Sequence, residues 1–168
     1  MKHNLSILVE NHSGVLARVA NLFARRGFNI DSLAVGTTDN AKISRITVSV
    51  IADEDEIDQV LKQLHKLPIV LKVKRLERDA HISRELAFIK VTCDDQTRTS
   101  VLQIADIFRG HIVDVSTSTA TIEISGDSNK IEALKELIAP FGILEMVRTG
   151  TIAVERGDRV LSLTDTDN

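Results

Sequence analysis

The chain has 168 residues, 43% hydrophobic and 27% charged, which excludes a disordered tail, a collagen repeat or a coiled coil and leaves one average domain or two small ones. Lys and Arg number 21 against 24 Asp and Glu, and residues 1–80 carry 12 basic and 10 acidic groups while residues 81–168 carry 9 and 14, so neither half is a basic arm suited to a nucleic-acid backbone. The single cysteine, Cys93, follows the apolar run Leu86 to Val91 and reads as a buried thiol in a reducing, cytoplasmic compartment; no apolar leader follows Met1, and no apolar stretch is long enough to span a membrane.

In chain order, Leu5, Ile7 and Val9 alternate with Asn4, Ser6 and Glu10, the period of a half-buried strand, until Asn11-His12-Ser13-Gly14 breaks it. A helix follows, with Val15, Val19, Leu22 and Phe23 on one face, Ser13 as its expected N-cap and Gly27 at its C-terminal end. Phe28 to Thr38 and Ile43 to Ala52 are β-branched runs joined by a turn, which predicts an antiparallel pair. The acids Asp53-Glu54-Asp55-Glu56 suit the positive end of a second helix, whose stripe is Ile57, Val60, Leu61 and Leu64. Pro68 precedes a last strand over 69–76, so residues 1–77 read β-α-β-β-α-β.

Residues 78–84 are polar and irregular, the composition of a linker. The order then repeats over 85–157: a strand to Cys93, a helix over 97–109, strands over 112–116 and 119–125, a helix over 128–139 and a strand over 143–147. The expected fold is α+β, two tandem ferredoxin-like βαββαβ domains, each a four-stranded sheet with helices on one face. Apolar residues in both registers of strand 43–52 imply that the other face is covered too, by dimerisation or domain stacking. The tail over 158–168 has little to bury and is expected to fray.

Few cues for catalysis are present. His3, His12, His65, His81 and His111 lack metal-ligand spacing, and there is no G-x-S-x-G, P-loop or Rossmann glycine string. Asp53 to Asp58 is best explained as a solvated helix start. An acylphosphatase-like enzyme would need an arginine in the first loop, and an RNA-recognition module would need aromatics on its central strands; the chain has neither. A metal-responsive module using Cys93, His81 and His111 is a further rival. The loop Asn11 to Gly14 at a helix N-terminus is chemically suggestive: free backbone N–H groups attract a carboxylate, Gly14 permits close approach, and Asn11 offers donor and acceptor. The alternative is that these are turn and capping residues only. Asn29, polar between Phe28 and Ile30, is either a buried amide whose partners a ligand supplies or a strand-edge amide facing water.

The run from Glu10 through Gly27 to Leu33, with Ser44-Arg45-Ile46-Thr47, Lys62 to Leu67, Phe108-Arg109-Gly110, Val113-Asp114-Val115, Phe141 to Gly150 and Glu155-Arg156-Gly157, resembles the regulatory (small) subunits of acetolactate synthase, also called acetohydroxyacid synthase, whose first domain is an ACT domain. The resemblance implies a non-catalytic cytoplasmic subunit of branched-chain (valine and isoleucine) amino-acid biosynthesis. Such a subunit binds and activates a catalytic subunit carrying thiamine diphosphate, Mg²⁺ and FAD, and confers allosteric feedback inhibition by valine. It holds no cofactor of its own. A homodimer is expected on the separate ground that sheets with apolar residues in both registers need cover. In the family the inhibitor lies between two ACT domains, which carries over to Asn11, His12, Ser13, Gly14 and Val15 of one chain and Asn29 and Ile30 of the other. Ser13 stands where many ACT domains place proline. The competing expectation is a free-standing ACT-type amino-acid sensor acting on another enzyme or regulator.

Overall fold

The structure, a computed structural model, describes residues 1–164. The end of the tail expected to fray, residues 165–168, lies outside the described residues. The chain divides into two compact units, Met1–Ile82 together with the segment from Thr151 onward, and Ser83–Gly150.

The first unit contains β1 (Lys2–Glu10), α1 (Val15–Arg25), β2 (Asn29–Thr37), β3 (Ile43–Ile51), α2 (Glu54–His65) and β4 (Val70–Leu76). Its antiparallel sheet has the order β2-β3-β1-β4, which is the ferredoxin-like arrangement. Register explains the core. Leu5 pairs with Val48 and Ile7 with Ile46, so these side chains share the face beneath α1 and α2. There they meet Val19 and Phe23 of α1 and Ile57, Val60 and Leu64 of α2, all fully buried.

The helix ends follow from local chemistry. Asp53 accepts from the Glu56 N–H at 2.8 Å while the Glu56 carboxylate accepts from the Asp53 N–H at 2.8 Å, a reciprocal cap at the start of α2. At the end of α1 the chain leaves through Gly27 at φ +70°, where the Phe28 N–H donates to the Phe23 carbonyl and the Gly27 N–H to the Ala24 carbonyl. Only a residue that tolerates the left-handed region closes the helix in this way.

The other face of this sheet is covered by the chain's own C-terminal segment. β9 (Ile152–Glu155) and the residues around it lie against the first unit: the Arg45 Nη2 donates to the Ala153 carbonyl at 2.8 Å, the Thr151 N–H donates to Ser32 Oγ at 3.3 Å, and the Arg156 N–H donates to the Ala80 carbonyl at 2.8 Å. Lys74 Nζ reaches Glu155 Oε2 at 2.9 Å. The face so covered is polar, with Ser6 paired to Thr47 and Asn4 to Ser49, and Ser6, Thr47 and Ser49 are all buried. Where dimerisation or domain stacking was expected to hide this face, residues of the same chain do so. The reason is chemical: Thr151, Ala153 and Glu155 present small or polar side chains to a polar surface, and Ile152 and Val154 turn outward.

Removing the Glu155 carboxylate should therefore loosen the strap. Glu155 is nearly fully buried but Lys74 is half in solvent and can turn to water, so the cost falls below that of breaking a fully buried pair. Glu155→Ala is expected to destabilise the protein by about 1 to 2 kcal/mol, measured by chemical unfolding against Ile152→Ala, which alters an exposed side chain of the same strand.

The second unit contains the greater part of β5 (His81–Thr92), then α3 (Arg98–Ile107), β6 (His111–Val115), β7 (Thr119–Gly126), α4 (Ser128–Ile138), a short 3₁₀ turn and β8 (Ile143–Arg148). Strand order is β6-β7-β5-β8, again ferredoxin-like, but the sheet has five strands where four were expected, because β9 pairs with β5 off that path. Its own core is built from Ile89 and Val91 of β5, Ile122 and Ile124 of β7, Val101 and Ala105 of α3, and Ile131, Leu134 and Ile138 of α4. Cys93 is buried in it.

β5 begins at His81, inside the stretch expected to be a linker over 78–84, so the irregular part is residues 77–80. Hydrogen bonds rather than burial hold this polar sequence. The His81 Nδ1 donates to the Glu77 carbonyl at 2.6 Å, and the Ala80 N–H also donates to that carbonyl, at 3.1 Å.

Candidate functional site

The loop after β1 is fixed by its backbone and by one side chain. The Asn11 N–H donates to the Lys42 carbonyl at 2.8 Å and its Nδ2 donates to the Ala41 carbonyl at 2.8 Å, so Asn11 clasps the β2-β3 turn and its side-chain oxygen stays open. Ser13 is exposed and does not cap the helix. The N-cap is Gly14, at φ +86° and ψ −13°, and no side chain caps the first turn. A side-chain cap requires an extended N-cap residue, as Asp53 is in α2, whereas the chain enters α1 through a left-handed turn. The result is a helix start with no side-chain cap and no acid in its first turn, where the Val15 N–H makes only a long bond, 3.5 Å, to the His12 carbonyl. A Cβ at Gly14 would meet nothing within 4 Å, so the space before the helix is clear. Val15, the fifth loop residue singled out in the sequence, is buried in the core, and its N–H donates to the His12 carbonyl at 3.5 Å.

His12 is paired with a carboxylate beside this loop. Its Nε2 lies 2.7 Å from Glu10 Oε2, and its Nδ1 lies 3.2 Å from the Ser13 carbonyl. The hydrogen bond to Glu10, supplemented by that to Ser13, raises the His12 pKa above its ordinary 6.5. A folded-state value above the unfolded one means that this group stabilises the fold below the unfolded pKa and that the contribution is lost as pH rises through the raised value. In a proton-resolved NMR titration, Glu10→Gln is expected to lower the pKa of His12 by removing the largest of the interactions that raise it.

Asn29 and Ile30 open β2, which among the described residues is an edge strand paired with β3. Asn29 is exposed, so within one chain it is the water-facing amide and not a buried one; Ile30 packs against the core edge. The two parts of the expected site are far apart in one chain. Glu10, beside the loop, pairs with Ile43 at one end of β3, and Asn29 pairs with Ile51 at the other end. Eight residues of strand separate those pairs, roughly 27 Å at 3.4 Å per residue. Thr37, at the far end of β2, pairs with Ser44 and lies at the loop's end of the sheet.

Among the described residues no group of three or more His, Cys, Asp and Glu is placed to hold a metal ion, and no helix is long and apolar enough to cross a membrane. Cys93 lies in the second unit's core, His111 starts β6 and His81 is bonded to Glu77 and Asn4.

Residues 5–72 match the model of the small subunit-like ACT domain of acetohydroxyacid synthase, and residues 84–157 match that of the small subunit of acetolactate synthase. The acetolactate synthase small subunit of Mycobacterium leprae is 51% identical over 157 residues, 94% of this chain and 93% of that one. The chain belongs to the acetolactate synthase small subunit family. The Aquifex aeolicus small subunit is also 51% identical, over 92% of this chain and 81% of its own length. The crystal structure of the small subunit from Thermotoga maritima superposes with a TM-score of 0.89 at 41% identity, covering 95% of this chain and 99% of that one. For an acetolactate synthase small subunit, the uncapped helix start of the first ACT unit becomes the feature to explain.

Sequence reasoning missed the strap and its partners. Arg45, Lys74 and Glu155 form hydrogen bonds and an ion pair between segments about 80 to 110 residues apart in sequence. The alternation of Thr151, Ala153 and Glu155 was the available signal, but it is the inverse of the apolar-inward pattern.

Proposed function

We propose that this small subunit binds and activates the catalytic subunit of acetolactate synthase in the cytoplasm and makes it sensitive to valine. The thiamine diphosphate, Mg²⁺ and FAD of the reaction belong to that partner. The observation that carries the valine reading is the start of α1: a first turn without a side-chain cap, a left-handed Gly14 with clear space before it, and His12 alongside, its pKa raised by Glu10. A carboxylate there would accept from the first-turn N–H groups while Asn11 Oδ1, free of the clasp, would accept from an ammonium.

A homodimer completes such a site. Asn29 cannot reach the loop of its own chain. Antiparallel pairing of β2 with β2 of a second copy about a two-fold axis, however, sets the Asn29 end of one strand beside the Thr37 end of the other, where the partner's loop lies. β2 is an edge strand, whose backbone groups favour that association. Valine between the copies would touch Asn11 to Val15 on one side and Asn29 and Ile30 on the other.

The test is to mix the chain with the catalytic subunit and measure acetolactate formation with and without valine. The chain alone should form none, the mixture should exceed the catalytic subunit alone, and valine should reverse the gain. Sedimentation should give twice the chain mass. A monomer at micromolar concentration, with or without valine, overturns the shared site; a mixture with no gain in activity overturns the assignment to this enzyme.

A further inference from the structure

A cavity of about 530 Å³ opens in the first unit where β2 turns into β3 and the C-terminal segment passes over the sheet. Leu8 and Ile43 supply its floor, Leu161 and Leu163 its roof, and Arg45 is the cation that lines it. Gly36, which has no side chain, pairs with Arg45 across β2 and β3, and a Cβ there would meet nothing within 4 Å.

Arg45 is incompletely satisfied. One Nη2 hydrogen bond goes to the Ala153 carbonyl at 2.8 Å, and no acceptor among the described residues takes the other N–H groups of this half-buried side chain. The nearby carboxylate of Glu155 is held by Lys74. Burial pushes the Arg45 pKa down, with Glu155 opposing it, which is the sign of a cation that would gain from an anion placed against it. A planar guanidinium with free donors matches a carboxylate in two-point fashion. One cation suits a singly charged ligand better than a phosphate, and the four apolar side chains suit an alkyl group.

We propose that this cavity binds a small aliphatic carboxylate, its carboxylate on Arg45 and its alkyl group against Leu8, Ile43, Leu161 and Leu163. The site is distinct from the loop and edge strand assigned to valine. Its occupant fastens residues 161–163 to the sheet, because the ligand touches both. Asp39 lines the same cavity, so the carboxylate can be that of an amino acid, its ammonium on Asp39, or that of a plain acid.

Isovalerate, isovaleramide and valine distinguish these, titrated against the full chain by calorimetry and thermal unfolding. Isovalerate should bind saturably at millimolar concentration and raise the unfolding temperature, and neutral isovaleramide should do neither. Arg45→Gln, which keeps a donor for the Ala153 carbonyl but loses the charge, should weaken isovalerate by about ten- to a hundredfold, the worth of a charge-assisted contact. Leu161→Trp fills the cavity from its roof without altering the charge and should abolish binding in a protein that still folds, so the proposal stays testable if Arg45→Gln unfolds. Valine binding that survives Gly14→Glu but not Leu161→Trp would identify the ligand as an amino acid; isovalerate binding alone would identify it as a plain acid. The proposal is overturned if isovalerate does not saturate, if isovaleramide binds equally, or if Leu161→Trp leaves binding intact. Isovalerate binding lost in Gly14→Glu instead would place the ligand at the valine site and also overturn it, while leaving the activation of the catalytic subunit untouched.

Discussion

Gly14→Glu is expected to leave activation of the catalytic subunit intact while shifting the valine inhibition curve by roughly ten- to a hundredfold. A glutamate side chain there fills the clear space before α1 and sets a negative charge at the helix start on which the valine carboxylate is proposed to rest. Losing one charge-assisted hydrogen bond accounts for about 1.5 to 3 kcal/mol, and steric exclusion adds to it. Position 14 also sits at φ +86°, where any L side chain is strained by about 1 to 2 kcal/mol. Gly14→Ala carries that strain without the charge. It is therefore the control: it should lose stability like Gly14→Glu and keep far more of its valine response. A shift below about threefold in a folded, activating Gly14→Glu protein overturns the assigned site. If both variants lose activation, Asn29→Ala decides, since its exposed side chain holds nothing together within its own chain.

The core and the element order were legible because they follow from periodicity. Val15, Val19 and Phe23 at helical spacing, and Leu5, Ile7 and Val9 at strand spacing, are the residues that α1 and β1 give to the core between sheet and helices. The end of α1 was legible too, since Gly27 adopts the left-handed conformation that its position suggested. The start of α1 was not. Ser13 is a good capping residue by type, but capping depends on the backbone of the residue that enters the helix, and Gly14 takes that role with a conformation no side chain reveals.

The strap shows a different limit. Ile152 and Val154 are the apolar members of β9 and would be read as its inner face, yet they stand outward and Ala153 and Glu155 are buried. Burial follows what an element lies against. Here the opposing surface is Arg45, Ser32 and Lys74, so a carboxylate and a backbone carbonyl are the fitting partners. That surface was itself misread: the apolar residues Ile43 and Ile51 suggested a greasy second face, whereas the buried positions between them are Arg45, Thr47 and Ser49, only half-buried in the case of arginine. At Asn29 the sequence left two readings open. Its polarity in an apolar strand fits either a buried amide or a strand-edge amide facing water, and the second holds within one chain because β2 is the sheet's edge, a fact of topology that no local pattern contains.

Phe23→Ala is expected to be the most destabilising single change, and to act on one unit. Phe23 is fully buried, lies in the middle of the first unit's core and touches the sheet from α1. Truncating a buried phenylalanine costs about 3 to 5 kcal/mol, because the lost transfer energy is joined by that of a cavity which close-packed neighbours fill only partly. For a unit of this size that corresponds to a fall of at least about 12 °C in unfolding temperature. The second unit has a separate core, in which Ile122 and Leu134 occupy comparable fully buried positions. In calorimetry Phe23→Ala should therefore move one transition down and leave a second near its original temperature, and Ile122→Ala should do the converse at about 2 to 5 kcal/mol. At temperatures between the two transitions the Phe23→Ala protein should lose valine response, since the proposed site lies wholly in the first unit. A single transition that shifts as a whole in both variants would show that the two cores unfold together, and the loss of valine response would then track global unfolding rather than that of the ACT unit.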